Sequence, residues 1–366
     1  MKLLINASNL YVGGGVQVAI SVIEEMIGLS IDFIAAVSPP VYVQLSRDAK
    51  SRSYLITSSP SGILNFSSRQ KLNNLVVSHK ITHVFTVFGP SYWTPKNIKH
   101  LVGFALPWLI YDTAEVYKKV SLKIKIKMKM LEYIQPCFYK KNANAIVCET
   151  EDTKERISTL LDTKNISFFT VRNTVSNIYS DRGIFDYSIA NKIICQKSDI
   201  LLLTISHDYP HKNLQVISAL LELLPDIYKF VLTVDSSFLN RIRADMRHRI
   251  IPLGPVMSNQ CPPLYERCDA MFLPTFLECF SASYPEAFYC GKPVITSDRG
   301  FAHTVCGDAA AYFDPLDPNS IASTIRRVFA DGKYRDTLVN NGKSRLDFLP
   351  SSRDRAIEYI EILRSI

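Results

Sequence analysis

Apolar runs of four to six residues recur along this chain, separated by longer helical or irregular stretches. In the first half Lys2-Leu3-Leu4-Ile5, Phe33–Val37, His83–Phe88, His100–Phe104 and Ala145–Cys148 read as short strands. That alternation predicts a parallel sheet covered by helices. Gly13-Gly14-Gly15 stands between the first strand and the apolar-periodic Val16–Ile23, a strand, glycine loop and helix in succession. Beyond a polar stretch from about Val171 to Asp199, a second series begins with Ile200–Ile205, Phe230–Val234 and Asp269–Leu273. Helices are expected from about Asn213, near Pro263–Arg267 and from Ser283 or Tyr284, and Gly291 stops the last before another strand. The expected fold class is α/β, in two domains, 1–177 and 178–366. The amphipathic Arg353–Ile366 reads as a closing helix, free to pack back toward the first domain.

The length of 366 residues agrees with two domains at roughly 150 residues each. With 47% apolar and 21% charged residues, the composition excludes disorder, collagen and coiled coil. The longest apolar stretches, such as Val102–Ile110, fall far short of the ~20 residues that span a bilayer. Only three apolar residues follow Lys2, too few for a secretory signal, so a cytoplasmic location is expected. The eight cysteines show no Cys-x-x-Cys pair or zinc spacing and read as reduced thiols. A net charge of +8 admits nucleic acid, an anionic membrane surface or phosphorylated ligands, so its distribution matters.

The chemistry concentrates between Phe276 and Val294, where Glu278 and Glu286 stand with seven residues between them. A helix starting near Ser283 leaves Glu278 in the preceding loop, beside free backbone N–H groups of residues 280–284 that attract phosphate. A loop carboxylate accepts hydrogen bonds from sugar hydroxyls, and one in the first helical turn accepts them from a ribose diol. For Glu286 a second reading stays open, because Ser283-Tyr284-Pro285-Glu286 fits a capping box.

Glu-x7-Glu followed by Ala-x-x-x-Gly-x-Pro-Val resembles the donor-site signature of retaining glycosyltransferases of the GT-B fold, in the large family four (group 1). Ser206-His207-Asp208-Tyr209-Pro210-His211-Lys212-Asn213, Leu264–Pro274, Val147–Glu151 and Val171-Arg172-Asn173 resemble further family segments in family order. The resemblance implies two Rossmann-like domains facing across a cleft, the first binding acceptor and the second nucleotide sugar. It assigns Glu278 to the donor sugar hydroxyls, Glu286 to the ribose and Lys212 to the diphosphate. The backbone of Phe280, Ser281 and Ala282 would face the diphosphate or sugar, and Gly13, Gly14 and Gly15 would let backbone approach the substrates. No cofactor, protein nucleophile or metal is implied, the leaving phosphate itself taking the acceptor proton. The chain departs from the pattern at four places. Ser206 replaces an arginine, Cys279 and Ser281 replace glycines, and no histidine stands near Ala105 or Leu106.

Between Val116 and Lys141 eight lysines face the single acidic Glu132. Lysines alternate with Ile124, Ile126, Met128 and Met130, a period that fits a strand or a helix with a partly buried aliphatic face. On a helix Lys119, Lys123 and Lys127 would form an i, i+4 ridge, flanked by Lys125 and Lys129. An anionic bilayer rewards such a ridge by about 1 kcal/mol per lysine. Nucleic-acid binding lacks an accompanying motif. Tyr92, Trp93 and Trp108 are candidates to line a sugar acceptor site. The sequence thus predicts a peripheral membrane transferase that elongates a lipid-linked glycan of surface-polysaccharide or O-antigen type. A sugar-nucleotide epimerase and a degenerate subunit that binds a partner transferase are the alternatives.

Overall fold

The computed structural model describes residues 1–62 and 64–366. They divide into two compact units. The first comprises Met1–Tyr111, Ser121–Thr174 and Pro350–Ile366, and the second Asp112–Val120 and Val175–Leu349.

The first unit is built on a seven-stranded, all-parallel sheet in the order β3-β2-β1-β4-β5-β6-β7. The strands are β1 (Leu3–Ala7), β2 (Phe33–Val37), β3 (Ser53–Leu55), β4 (His83–Thr86), β5 (Lys99–Phe104), β6 (Ala145–Cys148) and β7 (Ser167–Thr170). Every residue of β1 is buried, because the strand is covered on both faces. Leu3, Ile5 and Ala7 join one core cluster and Leu4 the opposite one. In β5, Gly103 is obligatory: an added Cβ would lie 1.8 Å from the Val87 carbonyl oxygen. The helix Gly14–Gly28 covers one face and packs against the closing helix Ser352–Ser365, which places Tyr359, Ile360 and Leu363 in the same core. The lysine-rich segment forms the helix Leu122–Asn142, so its period of two belongs to a helix and not to a strand.

The second unit has a six-stranded parallel sheet in the order β10-β9-β8-β11-β12-β13. Its strands are β8 (Ile200–Thr204), β9 (Tyr228–Leu232), β10 (Ile250–Pro252), β11 (Ala270–Leu273), β12 (Val294–Ser297) and β13 (Ala310–Phe313). Arg249, 2% exposed, donates to the carbonyls of Tyr228 (3.1 Å), Leu221 (2.6 Å) and Pro225 (2.8 Å). Those bonds compensate the burial of its charge. No described helix is long and apolar enough to cross a membrane.

Candidate active site

In the second sheet the winding direction reverses between the neighbouring strands β8 and β11. Open parallel sheets bind ligands at such a reversal, beyond the carboxyl ends of the strands. The two loops that leave there are residues 205–213 and 274–282.

The first loop is held by local bonds. The Ser206 N–H donates to Thr233 Oγ1 (2.9 Å), and the Ser206 hydroxyl donates to the carbonyl of His207 (2.9 Å). Tyr209 stacks on His211 with ring centroids 5.6 Å apart. A turn over Pro210–Lys212 ends at Asn213, whose φ of 55° is left-handed, a region asparagine tolerates. The buried Asn213 amide donates to the Pro315 carbonyl (3.0 Å), which fixes this end of the loop. Burial, with the Lys212 ammonium adjacent, pushes the His211 imidazole down to about 3 and keeps it neutral at physiological pH.

The loops are stitched together by the His211 carbonyl, which accepts from the Phe276 N–H (2.7 Å) and from Thr275 Oγ1 (3.1 Å). This brings Lys212 to Glu278, and the ammonium donates to the carboxylate. The two side chains are only 15% and 10% exposed, so the pair is nearly dry and each charge depends on the other. Cys279 and Ser281, where the family pattern has glycines, are buried beside them.

The helix after the second loop spans Ser283–Tyr289, its first turn closed by Tyr284 N–H on the Ser281 carbonyl (3.2 Å) and Glu286 N–H on that of Ala282 (3.1 Å). The amides of Phe280, Ser281 and Ala282 therefore stand at its entrance. The capping-box reading of Glu286 fails, since Ser283 lies already inside the helix and Ala282 is the cap residue. Instead the Glu286 carboxylate accepts from the Tyr265 hydroxyl (3.2 Å), and its burial raises its pKa. No local spacing in the sequence links Tyr265 to Glu286; only the packing of two helices does.

The first sheet has its own reversal, between β1 and β4. Gly13 holds φ 74° and ψ −163°, open only to glycine, and starts the helix Gly14–Gly28. A Cβ on Gly13 or Gly14 would meet nothing within 4 Å, so that backbone is open to a ligand, whereas one on Gly15 would touch Phe88 at 3.3 Å. Asn9 donates to the Phe88 carbonyl (2.8 Å), tying the two loops of this edge together. Tyr92 accepts from Gln135 (2.8 Å) and packs edge-on against Phe138. Trp108 sits half-buried in the turn Pro107–Leu109. Trp93 corrects the expectation: only 4% exposed, it packs in the core with Leu4 and Ile34, and its indole donates to Asn73 (2.8 Å). Its faces are out of reach of an acceptor.

Lys119 is a second correction. It lies in the segment Asp112–Val120, which belongs to the second unit, and not on the helix that carries Lys123, Lys125, Lys127 and Lys129. Its ammonium donates to Asn213 Oδ1 (2.5 Å) and sits 4.4 Å from the centre of the Phe276 ring. The other four lysines are on the first half of their helix. Lys123, Lys127 and Lys129 are exposed there, as are Leu122, Ile124, Ile126 and Met130, while Lys125 is half-buried.

Residues 189–345, which contain both loops of the second unit, match the model of the family Glycosyl transferases group 1. The chain is 32% identical over 90 residues to the O-antigen chain mannosyltransferase B of Escherichia coli, a match covering 25% of this chain and 24% of that protein. It spans about a quarter of the length of the curated relatives it matches. Solved structures resemble the whole chain. WaaG, a glycosyltransferase involved in lipopolysaccharide biosynthesis, superposes with a TM-score of 0.73 at 13% identity over 99% of both chains. Anabaena HepE in complex with UDP-glucose gives 0.71 at 14% identity over all of both chains. At these identities the likeness is one of fold, and the fold is that of GT-B glycosyltransferases.

Proposed function

We propose that this protein is a retaining, metal-independent glycosyltransferase that moves a sugar from a nucleoside-diphosphate sugar to a lipid-linked glycan at an anionic membrane surface. The observation that carries the reading is the Lys212–Glu278 pair, set at the reversal point of the family-matched sheet. A donor would open this pair: its diphosphate takes the Lys212 ammonium, and Glu278 turns to the sugar hydroxyls. As the bond from anomeric carbon to phosphate oxygen breaks, the ammonium offsets the charge that grows on the leaving diphosphate. The acceptor hydroxyl then attacks from the same face and gives its proton to a phosphate oxygen, so no protein nucleophile is needed. In this reading Glu286, whose carboxylate accepts from Tyr265, receives the ribose diol.

The membrane part of the reading rests on the helix Leu122–Asn142. Exposed Lys123, Lys127 and Lys129 stand among exposed Leu122, Ile124, Ile126 and Met130, a combination that satisfies anionic headgroups and the acyl boundary together. The test is transfer from a panel of UDP-, GDP-, CMP- and dTDP-sugars to a membrane-lipid extract, with and without EDTA. We expect a glycolipid product from one donor family, unaffected by EDTA and lost by at least about a thousandfold in Glu278→Gln, whose amide oxygen still accepts from the Lys212 ammonium so that the fold is kept. Donor turnover without a glycoside product would instead identify an epimerase, and no turnover a degenerate subunit.

A further inference from the structure

The charges on the two loops of the second unit nearly cancel. Lys212 is paired with Glu278, Asp208 with Arg241 (2.7 Å), and His211 is neutral. A nucleoside diphosphate carries two to three negative charges, and a site of self-neutralising pairs has little to offer it. Lys119 changes that balance. Among the described residues no carboxylate lies within ion-pair distance of its ammonium, since the nearby Glu115 is taken by Lys118 (2.6 Å). The ammonium is held by a neutral amide oxygen and an aromatic face, so two of its three N–H donors are left for a ligand.

Its position is built and not incidental. The segment Asp112–Val120 is fastened by a turn in which the Ala114 N–H donates to Asp112 (2.9 Å), and Val116 and Val120 are buried. Its partners Asn213 and Phe276 are the immediate neighbours of the functional loop positions: Asn213 follows Lys212, and Phe276 lies two residues before Glu278. The side chain remains open to solvent, so an incoming anion reaches it without displacing protein. Packing against Phe276 and Asn213 also desolvates the ammonium and lowers its pKa, a cost that an anion would reverse.

We infer that Lys119 is a second cation of the donor site, supplied by a distant segment of the chain, and that it binds the diphosphate of the nucleotide sugar alongside Lys212. Ser206, which directs its hydroxyl to the His207 carbonyl, supplies no such charge. The inference rests on the donor reading above, and the experiment separates the two. Titration calorimetry would compare UDP and GDP with uridine and guanosine on the wild type, Lys119→Met, Lys119→Arg and Lys212→Met. Methionine keeps the aliphatic packing on Phe276 and removes the charge together with its hydrogen bond to Asn213, which Lys119→Arg can restore. We expect Lys119→Met to weaken the preferred nucleoside diphosphate about 10- to 100-fold, to leave the bare nucleoside unchanged and to flatten the salt dependence, with partial rescue in Lys119→Arg. Equal loss for nucleoside and diphosphate would make Lys119 a packing residue and overturn the inference. Unchanged diphosphate affinity in Lys119→Met, with loss in Lys212→Met, would overturn it while sparing the donor reading. A wild type that binds neither diphosphate would overturn both.

Discussion

The two sheets share one winding scheme, yet their reversal points are furnished differently. At β8/β11 the loops carry Lys212, Glu278 and the amides before Ser283, crossed by Lys119. At β1/β4 the loops carry open glycine backbone, Phe88 and Tyr92, with no ion pair among the described residues. The fold offers the same topological reversal twice, and under the proposed function the side chains assign the charged one to a phosphorylated ligand and the other to a ligand met by backbone and aromatic faces. In the second unit Asn213, Thr233 and Thr275 fix the loops by hydrogen bonds, as a site for a diphosphate would require. An acceptor glycan needs shape.

The largest effect falls on the buried arginines. Arg355 of the closing helix, 2% exposed, donates to Asn173 and to Ser21 (2.7 Å), and Asn173 donates to Glu149 (2.6 Å). We expect Arg355→Met to cost the first unit about 3 kcal/mol by urea unfolding while nucleotide binding survives, and Arg249→Met to cost the second unit a similar amount and take binding with it. Loss of binding in both variants would deny that the second unit alone holds the nucleotide.

Acidity comes next. His100 in the first unit is pushed down to about 4 by burial, donating from Nδ1 to the Asn142 carbonyl (2.9 Å) and lying 2.8 Å from Thr86 Oγ1. Like His211, near 3, it binds fewer protons folded than unfolded. The stability contributed is therefore complete above about pH 6.5 and is lost as pH falls toward these values. By pH 5 each should have lost about 2 kcal/mol, and His100→Gln should flatten the pH profile of the first unit only. A profile unchanged in both His100→Gln and His211→Gln would refute this. The smallest effect is at the membrane. Replacing Lys123 or Lys127 by alanine should weaken sedimentation with phosphatidylglycerol vesicles by about 1 kcal/mol each, while Lys119→Ala should leave it unchanged.

Much of the second unit was legible because its candidate site is local in sequence. The loop carrying Glu278 and the helix from Ser283 follow from one continuous stretch, and in the first unit β6 was bounded correctly by its apolar run alone. What the sequence hid is what packing creates. Glu286 fits a capping box by spacing, yet Tyr265, 21 residues away, takes its carboxylate. Trp93 looks like a sugar platform until Leu4 and Ile34 enclose it. Lys119 continues the i, i+4 ridge of Lys123 and Lys127 in sequence, but the helix begins only at Leu122, and Asp112–Val120 joins the other unit. A ridge drawn by spacing assumes one unbroken helix, and nothing in the lysine pattern announces the break.

The most direct test of the central contrast is amide hydrogen exchange of the wild type with and without saturating UDP or GDP. Slowed exchange at residues 206–213 and 275–286 is the predicted result. Protection confined to residues 8–15 and 88–93, or protection nowhere, would contradict the placement of the nucleotide at the charged reversal point.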